Sequence, residues 1–169
     1  VEIQALVLMP NHFHMILTTP NRDLGEVMNS FMASVTRTAN AISGRSGHMF
    51  GGPYYWSLIR GTRYFGHALK YVYRNPVRAD LCERVEDYPW STLHGLVGSA
   101  PVPFALHYTR IALEVGLPSV EPGEQLPWLN RPFPAEAENL IRKGLRRTTF
   151  DKIRDRKTRR PHELLAHLI

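Results

Sequence analysis

The sequence predicts an α+β fold, and three stretches carry that prediction. Residues 1–9 alternate and then turn fully apolar, as a strand entering a sheet interior does. After the turn residues Pro10 and Asn11, residues 12–18 resume as a second strand. Leu24, Val27, Met28, Phe31, Val35, Ala39 and Ile42 then recur at helical spacing, the core-facing stripe of a long helix.

The strand pair comes first in the chain, so it opens in mid-sheet and a missing beginning is expected upstream. Thr19-Pro20-Asn21 breaks the second strand, and Asp23 with Glu26 resembles a capping box for the helix. Gly44 and Gly47 end that helix in a small basic loop that contains Arg45. Residues 54–60, aromatic and β-prone, read as a further strand. Their rings either stack on nucleobases or fill the sheet face. Residues 62–75 read as a second helix with Phe65, Ala68, Leu69 and Val72 buried. Pro76 is expected to stop it near Asn75, and residues 76–79 to open a short new helix.

Seven prolines punctuate residues 98–134, where short helices such as one around 105–115 are expected. From residue 135 the pattern is helical again and strongly basic. The chain therefore divides into a main domain over 1–97, a proline-rich connection over 98–134 and a basic helical extension over 135–169.

Composition narrows the function. The 169 residues are 43% hydrophobic, enough for one globular core, and carry a formal net charge of +6. A polyanionic partner is the first expectation from that charge. The single cysteine, Cys82, excludes an intramolecular disulfide or a cysteine-rich zinc site and fits a reducing compartment. With no apolar run of membrane-spanning length and no basic-then-apolar leader, the expectation is a cytoplasmic protein, at the nucleoid when bound to DNA. The basic groups available to phosphates are Arg45, Arg74 and Arg78, then Arg146, Arg147, Lys157, Arg159 and Arg160 in the extension. That extension reads as a phosphate-contacting arm or as a solvated tail.

Two short stretches carry chemistry. His12 and His14 flank Phe13, so on a strand both imidazoles point to one face, roughly 7 Å apart by the strand rise. Asn75 lies four residues after Tyr71, so on a helix both project from one face. If that helix packs on the histidine strand, His12, His14 and the Asn75 oxygen converge on one metal beside a phenol. Two imidazoles and an amide oxygen, completed by water, suit Mg²⁺ or Mn²⁺ better than structural zinc. Tyr71 would be the nucleophile on phosphorus, activated by the metal's field or a nearby base. Asn75 before Pro76 also makes a good N-cap, so its oxygen has two possible uses. Tyr73 competes for the nucleophile role but points about 200° away on the helix. His48, His67 and His94 are isolated and read as structural or exposed.

Met9-Pro10-Asn11-His12-Phe13-His14 resembles the histidine–hydrophobic–histidine motif of the single-tyrosine HUH transposases. Tyr71-Val72-Tyr73-Arg74-Asn75-Pro76-Val77-Arg78-Ala79 resembles the catalytic-tyrosine segment of their REP-associated branch. Gly47-His48-Met49-Phe50 and Tyr88-Pro89-Trp90-Ser91 resemble further landmarks of that branch, and the likeness covers roughly residues 3–97. It implies a ferredoxin-like (RRM-like) antiparallel sheet with helices packed on it, here without its first strand and helix and with an edge exposed. It also implies a divalent metal, Mg²⁺ or Mn²⁺, on His12, His14 and Asn75, and attack by Tyr71. The implied activity is cleavage and transfer of single-stranded DNA beside a hairpin, through a 5′-phosphotyrosine link with a free 3′-hydroxyl. Relatives often place a basic residue where Gly51-Gly52-Pro53-Tyr54-Tyr55-Trp56 stands, which bears on how DNA is held. Two other functions fit the residues: an inactive module of the same fold that grips hairpin DNA, and a metal-dependent phosphohydrolase without tyrosine attachment. The oligomeric state, monomer or homodimer, is left open.

Overall fold

The computed structural model describes residues 1–106 apart from 22, 53, 60 and 61, together with 122–135 and 139. Strand β1 (Glu2–Leu8) pairs antiparallel with β2 (Phe13–Thr18), and Met9 N–H donates to the His12 carbonyl at 2.8 Å to close the turn. Helix α1 spans Leu24–Ser43 and α2 spans Thr62–Arg78. A 3-10 turn at Val85–Asp87, the short α3 (Leu93–Leu96) and α4 (Pro122–Asn130) follow. The described part is thus α+β with a two-stranded sheet. Among the described residues no helix is long and apolar enough to cross a membrane.

The hairpin is buried on both faces, which explains its near-continuous apolar run. Along β2, His14 and Ile16 turn one way and Phe13, Met15 and Leu17 the other, as the two-residue strand period requires. Ala5, Val7 and Ile16 join Phe65, Ala68, Leu69, Val72 and Tyr73 in the main core on the α2 side. Met15 and Leu17 pack with Leu24 and Met28 on the α1 side. A register shift between Ile3 and Ala5 carries the bulged Gln4, whose Nε2 donates to Thr18 Oγ1 at 2.8 Å. One extra residue there keeps Ala5 and Val7 facing α2 while Ile3 and Leu6 face α1.

The outer edge of β1 is engaged by downstream chain. Leu8 N–H donates to the Trp90 carbonyl and Thr92 N–H to the Leu6 carbonyl, both at 2.9 Å, and single bridges join Val7 to Ser91 and Ile3 to Leu106. Tyr88 Oη donates to the Leu8 carbonyl at 2.6 Å. The Tyr88–Ser91 landmark is therefore the strap that covers this edge.

Four expectations are corrected. Residues 54–59 form no strand: Tyr54 and Trp56 lean on the α1-side core, and the edge of β1 is taken by residues 90–92 and Leu106. Pro76 lies inside α2, which continues to Arg78, so no new helix begins at Pro76 and Asn75 is not its N-cap. Asp23 makes no side-chain cap; its backbone angles (φ −101°, ψ 29°) are not those of an extended N-cap, and α1 is entered by Val27 N–H on the Asp23 carbonyl. The α1 stripe is buried only at Leu24 and Met28, and Ile42 is 83% exposed. Gly44 does end α1, in the left-handed conformation (φ 65°).

Part of the proline-rich stretch joins the main core. Leu129 of α4 is buried there, with Leu126 and Trp128 packed alongside. Asn130 accepts from Val85 N–H and donates to Glu86, which also pairs with Arg84. The helix expected around 105–115 and nearly all of the basic extension lie outside the described residues.

Candidate metal and tyrosine site

The site forms where the α2 side of the hairpin meets the middle of α2. His12 leaves the turn and His14 follows on β2, and their Nε2 atoms stand 3.1 Å apart with the rings edge to face. His12 Nδ1 lies 2.7 Å from Asn11 Oδ1. A carboxamide oxygen only accepts, so Nδ1 carries the proton and Nε2 of His12 presents its lone pair towards His14. Burial lowers the His12 pKa below its ordinary 6.5, which favours this neutral form.

Two nitrogens bound cis to one octahedral divalent ion at about 2.1 Å would lie about 3 Å apart. The imidazole pair fits that spacing, and Asn11 supplies the outer hydrogen bond that orients such a ligand. Among the described residues no three His, Cys, Asp or Glu side chains gather, so a closed zinc-type shell is not built here.

Across from His14 stands Tyr71, with ring centroids 6.0 Å apart. Tyr71 is only 4% exposed: Phe133, from the segment after α4, packs against it, and the Arg78 guanidinium lies over its ring at 5.2 Å. One turn on, Asn75 Nδ2 donates to the Tyr71 carbonyl at 2.7 Å and reaches the Val72 carbonyl at 3.4 Å. Its donors are thus used on the helix, and its oxygen is the atom left to ligate. The structure brings His12, His14 and Tyr71 together, with Asn75 on the next turn of the same helix.

Tyr73 faces away from the histidines. It is 1% exposed in the main core, and its hydroxyl meets Thr92 Oγ1 at 3.2 Å. Arg74 is diverted from the DNA surface where it was expected: it is 8% exposed and its Nη1 donates to the carbonyls of Leu129 and Asn130. Arg45 is exposed in the loop after α1, and Arg78 is exposed beside Tyr71. Arg146, Arg147, Lys157, Arg159 and Arg160 lie outside the described residues. His94 is structural, bonded to the Tyr88 carbonyl and Ser99.

Three residues at the site escaped the sequence reading. Asn11 reads in the sequence as turn chemistry and as part of the histidine stretch, with no role on His12, although an acceptor immediately before His12 is a local signal. Phe133 comes from the proline-rich stretch and touches both Tyr71 and the His67 ring, 5.9 Å away. Lys70, the residue before Tyr71, has its Nζ 4.8 Å from the Trp128 ring and 5.0 Å from the Phe133 ring. Burial first, then Arg74 and Arg131, lower its pKa to about 8.

Fold and site together describe an α+β protein whose His-Phe-His strand faces a helical tyrosine. The chain is similar to the curated REP-associated tyrosine transposase of Escherichia coli (strain K12), with 32% identity over 94 residues, covering 55% of this chain and 54% of that protein. It is also 24% identical over 104 residues to a Haemophilus influenzae protein (strain ATCC 51907 / DSM 11121 / KW20 / Rd) given the same name provisionally, covering 55% and 59%. The chain spans about half the length of these curated relatives. No protein-family model matches it, and no solved structure does.

Proposed function

We propose that this chain carries the catalytic part of a metal-dependent nickase and strand transferase that acts on single-stranded DNA beside hairpins. The observation that carries the reading is the 6.0 Å approach of Tyr71 to His14, whose Nε2 converges with that of His12. Similarity to proteins named as tyrosine transposases supports it. The described hairpin, with α1 and α2 packed on it, is read as part of a ferredoxin-like fold.

In this reading His12, His14 and the Asn75 oxygen hold Mg²⁺ or Mn²⁺. Bound there, such an ion would supply Lewis acidity towards a phosphate oxygen. Tyr71 Oη forms a bond to phosphorus as its proton passes to a water that enters with the phosphate. The P–O3′ bond breaks, the 3′-oxygen leaves and takes a proton, and the 5′-phosphate stays on the tyrosine. Arg78, over the Tyr71 ring, balances charge on the arriving phosphate. Water is kept from the phenol by Phe133, so a phosphate enters from the His14 side or with Phe133 displaced.

A second reading, a hairpin-binding module that does not cut, is favoured by the burial of Tyr71 under Phe133. One assay separates them. The protein is mixed with labelled hairpins from the DNA flanking its gene, with Mg²⁺ or Mn²⁺, and run on a denaturing gel. A metal-dependent shifted band that vanishes in Tyr71→Phe is expected; retarded native complexes without any adduct, both from this chain and from one extended upstream, would establish the binding module instead.

A further inference from the structure

Beyond Phe31 helix α1 has little to pack on, yet the chain after it doubles back along it. Asn40 Nδ2 donates to the Gly47 carbonyl at 2.9 Å, and Gly44 (φ 65°) and Gly47 (φ 103°) turn the backbone as only glycine does readily. Residues 48–52 thus lie beside α1 and enclose an open groove of about 500 Å³. Met32, Met49 and Phe50 give it polarizable apolar walls, and Arg37 and His48 give it cations or donors. At Gly51, a further lining residue, an added Cβ would meet nothing within 4 Å, so the groove reaches bare backbone.

The chain that builds the groove carries charge of one sign. From residue 27 to residue 52 it has Arg37 and Arg45 and no Asp or Glu. Apolar walls with thioethers suit a flat π face, and an adjoining guanidinium suits a phosphodiester. The volume lies in the range of a small-ligand site, large enough for one nucleotide. Phe50 also touches Phe13 edge to face at 6.0 Å, and Phe13 is the residue between the two histidines. The groove therefore reaches β2 through Phe13, on the face opposite His14.

We propose that this groove holds one unpaired nucleotide of a DNA single strand, with its base against Met32, Met49 and Phe50 and its phosphate on Arg37. The proposal deepens the DNA reading above and rests on it.

The test uses the full chain as Tyr71→Phe, without added metal, so that binding is read apart from cleavage. A labelled single strand carrying one 2-aminopurine is titrated by anisotropy, beside the same strand with an abasic site in place of that base. The parent is expected to prefer the strand that keeps the base and to quench the 2-aminopurine. Gly51→Leu adds a bulky side chain at the lining, where an added Cβ meets open space, and Met49→Ala removes a wall residue that is 54% exposed. Each is expected to weaken binding of the intact strand by about tenfold and to erase the preference over the abasic one. Arg37→Ala is expected to lower the salt slope by about one. Equal binding of the two strands by the parent, or unchanged preference in Gly51→Leu, would overturn the proposal. A groove effect without any covalent adduct in the unsubstituted protein would sink the nickase reading and leave the groove standing; an adduct untouched by Gly51→Leu would do the reverse.

Discussion

Asn75 turns its side-chain amide back onto the carbonyl of Tyr71, 2.7 Å away, with the Val72 carbonyl at 3.4 Å. Pro76 has no N–H to give the Val72 carbonyl and would normally break the helix here. The Asn75 amide supplies the missing donor as a splint, and α2 runs on to Arg78. The same bonds tie the candidate ligand and the candidate nucleophile into one helical turn. Asn75→Ala is expected to cost about 1–3 kcal/mol in denaturant unfolding and to weaken divalent-ion binding. Asn75→Asp keeps a ligating oxygen but not the donor, so it should destabilise similarly while still binding the ion. An Asn75→Ala protein as stable as its parent would disprove the splint.

The two tyrosines should separate cleanly. Tyr71→Phe is expected to abolish the DNA adduct and shift the thermal midpoint by less than about 3 °C. Tyr73→Phe should keep the adduct but lose about 1 kcal/mol. Its hydroxyl donates into a buried chain in which Thr92 Oγ1 accepts from Leu6 N–H and donates to the Leu6 carbonyl. Adduct formation by Tyr71→Phe would move the nucleophile elsewhere.

Asn11 tests whether the imidazole pair is set in advance. Asn11→Ala removes the acceptor on His12 Nδ1, and Mn²⁺ affinity by calorimetry is expected to fall about 10- to 100-fold. Asn11→Asp restores an acceptor and should restore most of the affinity. No loss in Asn11→Ala would show that the His12 tautomer does not depend on this bond.

Lys70 gives the fold a pH signature. Its pKa is lowered from 10.5 to about 8 in the folded chain, chiefly by burial. Between those values the unfolded chain binds more protons than the folded one, so stability rises with pH across this window. Below about pH 8 the charged amine is a constant burden, offset in part by the Trp128 and Phe133 rings. Lys70→Met is expected to be more stable than the parent at pH 7, with the difference shrinking between about pH 8 and 10.5. Urea unfolding of both proteins at pH 7 and pH 10 measures it, and a pH-independent difference would count against a depressed Lys70.

Arg74 and Arg78 divide structure from DNA contact. Arg74→Met removes the clamp on the Leu129 and Asn130 carbonyls and is expected to cost about 1.5–3 kcal/mol, with the salt slope of DNA binding unchanged. Arg78→Ala is expected to leave stability nearly unchanged and to lower that slope by about one. The opposite pattern would reverse the two assignments.

The parts legible in the sequence were those set by local pattern. Alternation located β1 and β2, spacing placed Tyr71 and Asn75 on one helix face, and Gly44 marked the end of α1. What failed depended on partners distant in the chain. Residues 54–59 have strand composition, but Tyr54 and Trp56 pack on the α1-side core and no described strand pairs with them. Pro76 signals a helix end by its own chemistry and is overridden by a side chain one residue away. Arg74 looked like a surface cation until α4 arrived with carbonyls to satisfy it. Phe133 could not be assigned to Tyr71, because nothing in a proline-rich stretch says which surface it will cover.

The histidines precede the tyrosine by roughly sixty residues, and only the docking of α2 on the hairpin brings them together. During synthesis the hairpin, Arg37 of α1 and Arg45 after it emerge well before Tyr71. Contacts this distant in sequence form late in folding. In the proposed reading, a nascent chain therefore holds DNA before it is able to break it, and folding itself acts as the safety catch.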